Sequence, residues 1–124
     1  MATIELTKEN LITTINENDT VLVDFWAPWC GPCRQFAPVF ESMSESHPDI
    51  IFGKVNTEEQ QELAGHFQVR SIPTLTIFRQ EIIVFSQPGA LPPAGLESVI
   101  EKVGALDMDE VRRQVAEQAQ GGSA

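Results

Sequence analysis

The run "VLVDFW" (Val21 to Trp26) does most to narrow what this chain can become. All of its residues but Asp24 are apolar. A strand with one wet face alternates apolar and polar residues; one that is apolar throughout needs cover on both faces, the condition inside a parallel sheet wrapped by helices. "DIIFGKV" (Asp49 to Val55) reads as a second strand of this kind. Between the two, "CRQFAPVFESMSES" places Phe36, Phe40 and Met43 at helical spacing. Pro38 interrupts that helix, and because the periodicity resumes beyond it, a kink is expected rather than an end.

The flanking segments fit the same plan. After a short extended start, "TIEL", Thr7 is expected to cap a helix with Leu11, Ile12 and Ile15 on one side, ended by Asn18 and Asp19. "TEEQQELAGHF" reads as a helix capped by Thr57, with acidic residues in the first turn, where the helix dipole favours them. "PTLTIF" and "EIIVFS" read as a hairpin linked through Arg79 and Gln80, with no Asn-Gly or Asp-Gly to fix the turn type. Pro92 and Pro93 then open a helix carrying Leu96, Val99, Ile100 and Val103. The expected fold class is α/β, a mixed central sheet flanked by helices on both faces.

The chain has 124 residues, one domain's worth, and no internal repeat. The main domain is expected over residues 1–104. "LDMDEVRRQVAEQAQ" has its own cap signature, Asp107 with Glu110, and a thin apolar stripe of Val111, Val115 and Ala119. It is read as a helical extension over 105–120, with 121–124 a disordered tail. The net charge of -10 argues against a nucleic-acid partner and against an anionic membrane surface. "MATIELTKEN" lacks the basic start and apolar run of an export signal, and no stretch is long enough to span a bilayer, so the expected location is cytoplasmic.

The chain has only two cysteines, Cys30 and Cys33, separated by Gly31 and Pro32. Zinc needs about four ligands, and there is no second pair; His47 and His66 have the wrong spacing, so no metal is expected. A structural disulfide closing so short a loop would remove little entropy from the unfolded chain. Redox chemistry remains. Cys30 falls just ahead of a helix and Cys33 within its first turn, where free N–H groups and the dipole stabilise a thiolate. Such a thiolate attacks a substrate disulfide, and the second thiol resolves the mixed disulfide. Pro32 stiffens the helix start by fixing its own φ. Asp24, inside an apolar strand, should hold its proton to unusually high pH and so suit general acid–base work. The alternative for Asp24 is a strand-end carboxylate turned to solvent. For Lys54 and Pro73, the residues alone suggest a solvated edge lysine and an ordinary trans proline opening a strand.

"WCGPC" (Trp29 to Cys33) on a strand–helix turn, followed by "GKVN", "VRSIPTLTIF" and "PGAL" in that order, resembles the thioredoxin family from about Thr3 to Val103. The resemblance implies the thioredoxin fold and a dithiol reductant of protein disulfides, with Cys30 the nucleophile and Cys33 the resolving thiol. It also implies a thioredoxin reductase as partner, whose FAD and NADPH are not bound by this chain, and a monomer. Asp24 would carry the resolving thiol's proton, with Lys54 paired to it. Ile72–Pro73 would be a cis bond packed against the cysteines, leaving the Ile72 backbone free to pair with an extended substrate. Trp29, Gly31, Pro32, Ile72, Pro73, Gly89 and Ala90 would form an apolar docking rim. Pro88 departs from the aliphatic residue usual in the family, which bears on partner preference. Two other readings stand beside this one. An oxidase or isomerase of the same fold is disfavoured by the Gly-Pro pair, and a redox-inert scaffold could use the same rim.

Overall fold

A computed structural model describes residues 2–121. The chain runs β1 (Thr3–Glu5), α1 (Leu11–Glu17), β2 (Thr20–Trp26), α2 (Gly31–Ser46), β3 (Ile51–Asn56), α3 (Gln61–His66), β4 (Thr74–Arg79), β5 (Ile82–Pro88), α4 (Pro93–Gly104) and α5 (Met108–Gly121). One five-stranded sheet has the order β1-β3-β2-β4-β5. β1, β3 and β2 are parallel, while β4 runs antiparallel to both β2 and β5. β2 is therefore paired on both edges.

It is also covered on both faces. Leu22 joins Phe36 and Phe40 of α2, Leu96, Ile100 and Val103 of α4, and Phe52, Leu75 and Ile77 of the sheet in one buried cluster. Val21, Val23 and Phe25 join Leu11 and Ile15 of α1 in a second. The unbroken apolar run in β2 thus reflects a strand wrapped by helices, and α2 passes Pro38 and continues to Ser46.

Several local expectations need correction. α1 begins at Leu11, one turn later than expected, and Thr7 caps the turn that leads into it: its Oγ1 accepts from Glu9 N at 3.2 Å while Asn10 Oδ1 accepts from Thr7 N at 2.7 Å. Ile12 then falls on the outer side and is exposed. Thr57 does not cap α3, which starts at Gln61; its N–H and hydroxyl both donate to the Trp26 carbonyl, at 2.8 and 3.0 Å. Of the acidic residues expected in the first turn of α3, only Glu62 lies there. The hairpin link is Gln80–Glu81, both at positive φ (51° and 72°), the backbone of a type I′ turn built without glycine. Asp19 supports it, accepting from Gln80 N at 2.7 Å and from Gln80 Nε2 at 3.2 Å. Beyond these, His47 Nε2 lies 2.9 Å from Glu97 Oε2, joining the end of α2 to α4.

Arg79, the last residue of β4, sends Nη1 to the carbonyls of Val103 (2.7 Å), Gly104 (3.2 Å) and Leu106 (3.1 Å). It thereby satisfies the carbonyls left open at the end of α4 and fixes the approach to α5. Asp107 caps α5 as expected, its Oδ1 accepting from Asp109 N (3.1 Å) and Glu110 N (3.2 Å). Met108, not the Val111–Val115–Ala119 stripe, is the buried contact; Val115 stays 45% exposed. Of the expected disordered tail, Gly121 closes α5 and residues 122–124 lie outside the described residues.

At Gly53 in β3 the backbone approaches another element closely. A Cβ there would overlap Cγ and Cδ1 of Leu6, which is itself fully buried and has nowhere to move. Gly53→Ala should cost about 1–3 kcal/mol in denaturant titration, and adding Leu6→Ala should relieve the overlap, making the two changes clearly non-additive.

Candidate active site

The pleat of β2 assembles the site. Residues of one parity face α1, so Leu22, Asp24 and Trp26 lie together on the α2 side. β3 pairs with β2 so that Asp24 stands opposite Lys54, and Phe52, two residues before Lys54, belongs to the same α2-side cluster. Parallel strands deliver their following loops to the same end of a sheet. The loop after β3 therefore meets the loop after β2, with Thr57 bonding Trp26.

Cys30 is the N-cap of α2, and its Sγ accepts from Cys33 N at 3.2 Å. In the structure the two cysteines are joined as a disulfide, with Cα atoms 5.2 Å apart. In this form Cys30 is 5% exposed and Cys33 2%, because Ala27, Trp26 and Ile72 pack around them. Arg34 braces the loop from the first turns of α2, its Nη1 donating to the Pro28 carbonyl at 2.9 Å.

The expected rim residues gather unevenly. Trp29 is 64% exposed, Pro32, Gly89 and Ala90 are exposed, and Gly31 and Ile72 are half-buried. Pro73 is buried and adds no open surface. The Ile72–Pro73 bond is cis. The Ile72 carbonyl oxygen lies 3.6 Å from Cys30 Sγ, while the Pro73 carbonyl accepts from Gly89 N at 2.8 Å. Gly89 adopts φ +107°, a conformation that favours glycine. Sequence reasoning missed Glu58, whose carboxylate accepts from the Trp29 indole N–H. The available signal was topological: Glu58 follows a strand parallel to the one that leads to Trp29.

Asp24 is fully buried, and neither carboxylate oxygen has a hydrogen-bond partner. Desolvation pushes its pKa up to about 7, against an opposing pull from the Lys54 charge. The expected Asp24–Lys54 ion pair is not formed among the described residues. The Lys54 ammonium instead sits over the Trp26 ring, 4.8 Å from its centroid. The register brings Lys54 level with Asp24, but Trp26 on the same face offers the ammonium a less buried resting place.

The burial of Asp24 sets a pH dependence of stability. With the folded carboxyl titrating near 7 and an ordinary carboxyl near 3.8, the folded state binds the extra proton between those values. Its stabilising contribution is therefore complete below about pH 4 and lost as pH rises to 7. Unfolding titrations of the oxidised protein should show stability falling across that window, on the order of 4 kcal/mol in total. Asp24→Asn should abolish that slope and be the more stable form at pH 8.

Comparison with known proteins agrees with this geometry. The family model described as Thioredoxin matches residues 2–102. The chain is 59% identical over 122 residues to thioredoxin 2 of Streptomyces coelicolor, covering 98% of this chain and 91% of that protein. It is 45% identical over 89 residues to thioredoxin of Porphyra purpurea, covering 71% of this chain and 83% of the relative. Among solved structures, a mutant thioredoxin of Halobacterium salinarum superposes with a TM-score of 0.77 at 32% identity, over 84% of this chain and 92% of that one. With its five-stranded mixed sheet and a cysteine pair closed across the first turn of a helix, this chain belongs to the thioredoxin family, oxidoreductases that act by dithiol–disulfide exchange.

Proposed function

We propose that Cys30 is the attacking thiolate, Cys33 the resolving thiol and Asp24 its proton acceptor, with protein disulfides reduced as the outcome. The observation that carries this reading is the Cys33 N–H directed at Cys30 Sγ at a helix N-cap, where a sulfur anion is stabilised once the pair is reduced. The thiolate attacks one sulfur of a substrate disulfide, forming a mixed disulfide and expelling the other sulfur, which takes up a proton. Cys33 then gives its proton to the Asp24 carboxylate, directly or through one water, and attacks Cys30 Sγ. The Cys30–Cys33 bond forms as the mixed disulfide breaks, the second substrate sulfur leaves as a thiolate that takes up a proton from solvent or from Asp24, and two electrons have passed to the substrate.

The rim supplies docking. Trp29, Gly31, Pro32, Ile72, Gly89 and Ala90 meet the substrate surface, with Pro73 the buried clamp beneath and the Ile72 backbone pairing with an extended segment. Lys54 tunes Asp24. The chain carries both electrons on its own sulfurs and is recharged by a thioredoxin reductase, whose FAD and NADPH supply them. Residues 1–104 make up the redox domain and 105–120 an appended helix. No helix among the described residues is long and apolar enough to cross a membrane, and the working form is a cytoplasmic monomer.

An insulin-reduction assay coupled to NADPH through a thioredoxin reductase should show turnover that Cys30→Ser abolishes. Cys33→Ser should accumulate substrates as mixed disulfides through Cys30, and Asp24→Asn should slow exchange on the order of a hundredfold. Partner binding that survives loss of both thiols, with no disulfide reduced by the native chain, would establish the scaffold reading instead.

A further inference from the structure

Lys54 stands in register with Asp24, yet its ammonium lies over Trp26 and the carboxylate is left without a partner. Trp26 is well placed to hold it. Its carbonyl takes two hydrogen bonds from Thr57, at 2.8 and 3.0 Å, and its half-buried side chain packs against Ala27, Cys30 and Cys33. Lysine carries a compact charge on a flexible four-carbon stem. One stem therefore serves two resting places on the same face, the ring of Trp26 and the carboxyl two residues before it. The ring attracts a cation through its quadrupole whatever the state of the carboxyl; the carboxyl attracts it strongly only when ionised.

We propose that Trp26 is a positioning residue of the exchange reaction: it holds the Lys54 ammonium off Asp24 while the carboxyl is protonated and yields it when the carboxyl ionises. This builds on the reading of Asp24 as proton acceptor. A lysine bound permanently to Asp24 would make the carboxylate a poor base. A lysine with a competing seat pairs more weakly with the ionised carboxylate, which leaves that anion basic enough to take the proton of Cys33; once the carboxyl is protonated the ammonium returns to the ring. Across the ladder from Asp24, β3 places Lys54 and β4 places apolar Leu75; on the same side of β2, Leu22 packs with Phe36 and Phe40 of α2 and Trp26 packs with the two cysteines. In the oxidised protein the cysteines do not titrate, so Lys54 is the charge that acts on the carboxyl.

The test is a carbon-13 NMR titration of the Asp24 carboxyl in the oxidised protein. Trp26→Leu removes the ring and should lower the midpoint by about half a pH unit to one unit. Trp26→Phe keeps a weaker ring and should lower it less. Lys54→Met should raise the midpoint, and in that background Trp26→Leu should leave it where it is. A Trp26→Leu shift of equal size with and without Lys54 would reflect a change in burial and overturn the proposal, as would no shift in either background. If the Leu variant does not fold, Trp26→Phe in the two Lys54 backgrounds makes the same comparison. Exchange rates measured alongside separate the two readings. A Lys54-dependent shift combined with an Asp24→Asn variant of full activity would remove Asp24 from the reaction yet leave the lysine–tryptophan coupling standing.

Discussion

The double confinement of β2, bonded on both edges and covered on both faces, is the constraint from which the rest of the molecule follows. Because β3 lies parallel on one edge and β4 antiparallel on the other, the end of β2 meets the loop after β3 and the segment that opens β4. Cys30, Glu58 and Ile72 come from three separate stretches of chain, and this arrangement brings them to one end of the sheet. The cysteine loop needs no metal or long-range crosslink to be held. It is tied at Trp26 by Thr57, at Pro28 by Arg34 and at Cys30 by the first turn of α2.

The same confinement accounts for the chemistry of Asp24. A carboxyl placed at an inward position of such a strand cannot reach water by turning its side chain, so desolvation dominates and the proton is retained to about pH 7. The molecule bears a stability penalty at neutral pH to keep a group there that titrates near the working range of thiols. Structures commonly carry such local costs where function requires them.

Much of this was legible in the chain, for identifiable reasons. The strands β2 and β3 and the helices α2 and α4 announce themselves because each buries a face large enough to impose its period on the sequence. The cysteine pair is legible because both partners lie within one helical turn. What the sequence hid was side-chain geometry decided by competition. Thr57 fits a helix cap by residue type, yet an open carbonyl on Trp26 claims it. Lys54 fits an ion pair by register, yet an aromatic ring two residues along takes its charge. Gln80 and Glu81 form a turn that normally calls for Asn or Gly, and they are held there by Asp19 from a distant loop. No local pattern encodes these outcomes, since each depends on a group contributed by another part of the chain.

The Arg79 clamp has a consequence for the layout of the whole molecule. Arg79 pairs across the sheet with Thr20, at the end of β2 remote from Trp26 and Cys30. By gripping the carbonyls of Val103, Gly104 and Leu106 there, it sets the terminal helix leaving from the pole opposite the sulfurs. The chain beyond Val103 is thus anchored at the pole of the sheet opposite the one that carries Cys30, and the length of β2 separates that anchor from the dithiol.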